Sequence, residues 1–185
     1  MNYFKILYNT GRAIFPYPII IFVNYIVTFL VFPNLSIKKK YDNLDFVWSS
    51  LLFLFTYNLG DTIGKFICGY RWTFNSHSLF YMFVARAYFI LVIPLLATNW
   101  FNDDDLVNNY VFPFLVQLLF SITNGVVTSR LIINLDASFI ESFEVCPLKY
   151  RKYAGVLNGI MLQIGILVGT NIAIPFAKLF IGSDE

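Results

Sequence analysis

The chain has 185 residues, of which 58% are hydrophobic and 13% charged, where soluble domains carry about 25% charged residues; this is the composition of a membrane protein. A net charge of +2 with the basic residues scattered in twos and threes argues against nucleic-acid binding, which needs a continuous basic patch. Two cysteines without ligand spacing, Cys68 and Cys146, and a single histidine, His77, indicate neither a metal centre nor a disulfide scaffold, so free thiols and no metal or cofactor are expected.

Residues 1–12 lack a cleavable-signal pattern, because the apolar run that follows is too long and no small-residue cleavage site closes it. They are expected to form a short cytoplasmic lead. At about 20 apolar residues per crossing, five segments qualify: Ala13–Pro33, Phe46–Tyr70, Ser78–Thr98, Tyr110–Leu135 and Ala154–Phe180. The expectation is therefore an all-α membrane protein, a five-helix transmembrane bundle over residues 13–180 with a tail at 181–185. The modest Lys and Arg bias of the connecting segments places the N-terminus and the loop 136–153 inside and the C-terminus outside. Asn34-Leu35-Ser36 would then be an external glycosylation sequon, too close to the membrane to be used.

In the first span Asn24 and Thr28 share one face, which ends at Phe32-Pro33. Such residues either bond to a neighbouring helix or sit in a helix that faces lipid and satisfies them internally. The second span carries Asp61 and Lys65 in its middle, although a charge at bilayer depth costs about 2.5–3.5 kcal/mol and normally faces protein or water. Their i,i+4 spacing, acid first, lets each partner the other. Ser50, Leu54, Tyr57, Asn58 and Cys68 extend that face into a mostly polar stripe suited to water or a polar ligand. In the third span Arg86 either snorkels to the interface or pairs with an acid, and Pro94 removes a backbone bond and kinks the helix. The fourth repeats the polar pattern with Gln117, Ser121, Asn124 and Thr128 on one face, which suits either an aqueous lining shared with the second span or static interhelical bonding. In the fifth, Gly155/Gly159 and Gly165/Gly169 form small-xxx-small patches for close packing, with Asn158, Gln163 and Asn171 as polar contacts.

Taken together, these stretches resemble the C-terminal half of an equilibrative nucleoside transporter. The resemblance rests on Phe32-Pro33, on Asn58…Asp61-Thr62-Ile63-Gly64-Lys65, on Ala85-Arg86 followed by Pro94-Leu95-Leu96 and Asn99, on Thr123-Asn124-Gly125, and on Ala154-Gly155, in that order along nearly the whole chain. It implies the C-terminal five-helix bundle of a major-facilitator-like transporter, moving nucleosides, and by extension nucleobases, by alternating access. It also implies substrate contacts from Asp61, Lys65, Asn58, Phe32 and Asn124, and structural or gating roles for Arg86, Pro94 and Gly155. A carboxylate accepts from ribose hydroxyls or base N–H groups, a cation donates, and an aromatic face stacks on a base. Lys65 stands where the family usually has arginine, and an ammonium cannot reproduce a planar five-donor fork. Lys152 stands where a glutamate is common. The implied partners are the nucleoside, the lipid bilayer, and an N-terminal six-helix half or a partner chain; the implied location is multi-pass in a plasma or organelle membrane. A second reading is a degenerate transporter half retained as a structural subunit of a membrane complex. An enzyme is not expected, since no nucleophile–base pair or phosphate loop is visible.

Overall fold

The computed structural model describes residues 3–33, 44–69, 76–97, 111–141 and 151–181, and these are nearly all helical. The sequon at Asn34, the basic and acidic connecting loops, Cys146, and residues 182–185 of the tail lie outside the described residues. In chain order the helices are α1 (Tyr3–Ala13), α2 (Tyr17–Val31), α3 (Phe46–Gly69), α4 (Ser76–Ala87), α5 (Phe89–Ala97), α6 (Val111–Glu141) and α7 (Arg151–Ile181).

Local sequence explains most of the boundaries. Helix α1 occupies residues of the expected lead and meets α2 at an angle of 80°. The turn falls at Ile14-Phe15-Pro16, where Pro16 supplies no N–H but its carbonyl accepts from Ile19 and Ile20 in the first turn of α2. Pro18 sits in that first turn, a position where a missing N–H costs nothing. Helix α2 ends as Phe32 turns extended, with φ −118° and ψ 136°, the conformation imposed on a residue that precedes proline. The third expected span is broken at Tyr88 into α4 and α5. Pro94 lies within α5, six residues beyond that break, and its side chain is outside the described residues.

Two helices are long and apolar enough to cross a bilayer, Val111–Ile133 within α6 and Tyr153–Leu179 within α7, and α1 with α2 makes a third if the bent pair counts as one span. Helix α3, 24 residues long, falls short of the same apolarity because Asn58, Asp61 and Lys65 interrupt its leucines and phenylalanines. The described residues thus form an all-helical membrane bundle in which two to three spans stand on length and composition alone.

The bundle is built on two helix pairs, α3 with α6 and α2 with α7. Lipid tails are as apolar as leucine, so membrane helices associate through close packing, and glycine permits it. A Cβ at Gly165 would lie 2.6 Å from the Phe22 carbonyl oxygen, and one at Gly169 3.0 Å from that of Ile26. The second small patch of α7 therefore packs on α2 as its spacing predicts. Gly155 and Gly159 do not: a Cβ on either would meet nothing within 4 Å. Between the pairs runs a core of Val27, Val31, Phe32, Phe120, Ala173 and Ala177. Helix α1 rests on the start of α7, with the rings of Tyr3 and Tyr153 edge to face at 5.7 Å and Gly11 against Leu157.

Candidate functional site

The site begins with a glycine. A Cβ at Gly125 of α6 would overlap the Asp61 carbonyl oxygen and lie 2.9 Å from the Lys65 backbone nitrogen, so α3 and α6 touch backbone to backbone there. From α3, Gly60 and Gly64 meet Ser121 and the Ile122 carbonyl with equal closeness. At this crossing a side chain as short as asparagine spans the gap. Asn124 donates from Nδ2 to Asp61 Oδ1 at 2.7 Å, and Asp61 Oδ2 pairs with Lys65 Nζ at 2.5 Å. The Asp61 side chain is 15% exposed and that of Lys65 54%.

Helix α2 supplies the next layer. Asn24 donates from Nδ2 to Asn124 Oδ1 at 3.1 Å, and the Thr28 hydroxyl lies 3.2 Å from the same oxygen and 2.7 Å from the Asn24 carbonyl. Behind it stands Arg86 of α4, fully buried. Its guanidinium donates to the Phe120 carbonyl at 2.7 Å, the Thr123 hydroxyl at 3.2 Å and the Thr28 hydroxyl at 2.6 Å, and its Cζ lies 4.3 Å from the Phe120 ring centroid, a cation–π contact. Arg86 thus neither snorkels nor touches an acid. Its partners among the described residues, which include the Tyr57 hydroxyl, are neutral, and a route of side chains runs from it to Asp61 through Thr28 and Asn124.

Of the residues expected at a substrate site, the structure brings Asp61, Lys65 and Asn124 together. Phe32 is buried, and its ring stacks on Tyr57 at 4.1 Å with an interplanar angle of 10°, so Tyr57 covers one of its faces. Asn58 is exposed and donates to its own helix, to the Leu54 carbonyl at 2.9 Å. Ser121 and Gln117 are buried in the interior, and Ser121 donates to Leu118 of its own helix at 2.8 Å. The second and fourth expected spans do meet through polar residues, but those groups bond to one another at the crossing. Gly155 is exposed on α7. Three residues of this arrangement have no packing role in the sequence reading. Gly60 and Gly64 form a small-xxx-small pair hidden by the charged residues between and beside them, and Tyr57 was placed on the stripe without a partner. The spacing of the two glycines is a signal that could have found them.

A groove of about 380 Å³ lies between α3 and α6, lined by Leu52, Thr56, Leu59, Phe114, Leu115 and Leu118. Thr56 is its one hydroxyl-bearing lining residue, so the groove is almost wholly apolar.

An apolar helical bundle that keeps a carboxylate, a guanidinium and two carboxamides linked in its interior, with Lys65 at their exposed edge, is a membrane protein with a polar centre. Comparison with known proteins narrows this. The chain is similar to equilibrative nucleoside transporter 4 of Danio rerio, with 25% identity over 167 residues. The match covers 90% of this chain and 30% of that protein, so the chain spans less than a third of its relative's length. No family model matches the chain, and no solved structure matches it.

Proposed function

We propose that the chain is the C-terminal half of a nucleoside transporter, a five-helix bundle that works by alternating access against a six-helix N-terminal half or a partner chain. The observation that carries this reading is the Asp61–Lys65 pair at the α3/α6 crossing, steadied by Asn124, with Lys65 exposed beside Asn58 and Thr62 on the same helix. Asp61 accepts from sugar hydroxyls or base N–H groups, Lys65 and Asn58 donate, and Phe32 offers an aromatic face once Tyr57 moves aside. Asn124 holds the carboxylate. Arg86, Pro94 and Gly155 serve structure or gating. The similarity to a protein named as a nucleoside transporter supports the choice of solute.

The test is uptake of a radiolabelled nucleoside, normalised to surface protein, in cells expressing the transporter that contains this chain. Asp61→Asn keeps size and one acceptor oxygen but removes the charge and the second acceptor; a bond to a charged group contributes about 1.5–3 kcal/mol, so uptake should fall by one to two orders of magnitude with surface protein unchanged. Lys65→Arg keeps the pair and should be tolerated. The second reading, a structural subunit, draws on the fact that both Asp61 oxygens are already bonded within the chain. It expects the pair to be replaceable by apolar residues at little cost, since an ion pair with one half-exposed partner contributes little to stability. Uptake that survives combined Asp61→Leu and Lys65→Met would remove these charges from the substrate path.

A further inference from the structure

Donor and acceptor capacity dictates the direction of every bond in the chain that links Arg86 to Asp61. A guanidinium only donates and a carboxylate only accepts, so the two ends are fixed by chemistry. Arg86 Nη2 donates to Thr28 Oγ1, which leaves that hydroxyl's one proton to point onward, to the Asn24 carbonyl or to Asn124 Oδ1. Asn24 Nδ2 donates to the same Asn124 oxygen. With its oxygen held by α2, Asn124 must turn its amino group to Asp61 Oδ1. The flipped amide would set oxygen against carboxylate and amino group against the Asn24 donor, and would leave the Thr28 proton only the Asn24 carbonyl to bond. Thr28, Asn24, Arg86 and Asn124 are all buried, none more than 5% exposed, so water does not compete. Each bond in such a chain polarises the next.

We propose that Arg86 is a positioning residue for the Asp61 site: acting through Thr28 and Asn124, it fixes which way the Asn124 amide faces and so holds the Asp61 carboxylate in one orientation at the α3/α6 crossing. The proposal rests on the reading of Asp61 as part of the nucleoside path. Its geometry explains why a positive charge is kept in the interior with no acid against it among the described residues, and with Nε lacking a hydrogen-bond partner among them. A cation merely neutralising Asp61 would contact it; this one is two side chains away. One consequence is that α2, α4, α6 and α3 are tied into a single polar unit, so a movement of α2 or α4 is felt at Asp61 without either helix touching it.

The variant that separates positioning from bulk is Thr28→Val, which preserves volume and removes the hydroxyl, with Thr28→Ser as its rescue. In nucleoside uptake per surface molecule, Thr28→Val should raise KM by about tenfold with a smaller change in maximal rate, the loss of about one hydrogen bond's net contribution, and Thr28→Ser should restore it. A purely structural hydroxyl would lower surface protein or melting temperature and leave KM alone, which would overturn the proposal. If Thr28→Val does not reach the membrane, Arg86→Lys keeps the charge but loses the fork that serves Phe120, Thr123 and Thr28 together, and an unchanged KM there overturns it equally. A second readout needs no substrate. In the purified full chain, the melting-temperature losses of Thr28→Val and Asp61→Asn should be non-additive, because both act on one chain of bonds. Absent uptake together with non-additive losses would sink the transport reading and keep the positioning one, and additive losses would sink the positioning one.

Discussion

Gly125→Ala is a severe test of how the site is assembled, because it adds one methyl group at the contact that brings Asn124 to Asp61. The new Cβ would overlap the Asp61 carbonyl oxygen and lie 2.9 Å from the Lys65 nitrogen and 3.0 Å from the Asp61 carbonyl carbon. All three atoms are backbone, so no rotamer change relieves the clash and α3 must move away. Overpacking typically costs about 1–3 kcal/mol, and the rigidity of the obstacle argues for at least the upper end. Alanine returns about 1 kcal/mol over glycine through helix propensity. The net expectation is a loss of about 2 kcal/mol, or roughly 4–8 °C in melting temperature for a chain of this size. Thermal unfolding of the detergent-solubilised protein, followed by its helical signal, measures it. The same separation lengthens the 2.7 Å bond between Asn124 and Asp61, so uptake should fall together with stability. Gly125→Ala melting at or above the parent would refute the close crossing and with it the geometry of the site.

The matched control is Gly155→Ala, where the added Cβ meets nothing within 4 Å; it should raise stability by up to about 1 kcal/mol from propensity alone, and a fall in uptake without a fall in stability would mark Gly155 as a gating or partner contact. The proposed five-span arrangement would put residues 1–12 and the 136–153 segment on one side, and the Tyr3 ring does lie against Tyr153. With Cys68 and Cys146 replaced, single cysteines at Lys5 and Ser142 should react with an impermeant maleimide from the same compartment, and labelling from opposite sides would overturn that topology.

What could be read from the sequence followed from local rules. The i,i+4 spacing of Asp61 and Lys65 placed them in contact, and the four-three-four spacing of Gln117, Ser121, Asn124 and Thr128 placed them on one face; a helix's periodicity suffices for both. Gly165 and Gly169 pack as their spacing predicts. The partner of each face was not legible, because it depends on how helices cross. Nothing local says that Asn124 sits opposite Asp61 while Gln117, on the same face, is buried elsewhere; Gly60, Gly64 and Gly125 decide it by letting two backbones touch at one level. Arg86 shows the same limit more sharply. From sequence alone it had two outcomes, the interface or an acid, and it took a third, because Phe120, Thr123 and Thr28 arrive from two other helices to bond it. Gly155 and Gly159 had the same spacing as Gly165 and Gly169, yet α2 packs only against the latter.

The exposed edge of α3 bears on what the bundle faces. Asn58 and Thr62 are exposed, but each donates to a carbonyl of its own helix, Leu54 at 2.9 Å and Asn58 at 2.8 Å, so these two would tolerate lipid. Lys65 differs. An ammonium has three donors, and Asp61 is its one partner among the described residues, while 54% of the side chain stays exposed. Hydrocarbon offers nothing to the remaining donors, and at bilayer depth a charged group turns toward protein or a wet cavity. The face of α3 that carries Lys65 therefore needs an acceptor from water, from solute or from a further helical segment, whereas the neighbouring Phe66 and Leu59, exposed beside it, suit lipid or another helix equally. If that face simply docked on a scaffold, an acidic or carbonyl-rich helix would have to cover Lys65 permanently, and Lys65→Met should then weaken assembly with the partner. In a transporter half the acceptor is exchangeable, so Lys65→Met should leave assembly intact and remove uptake; co-purification of the partner alongside the uptake assay distinguishes a permanent contact from an exchangeable one.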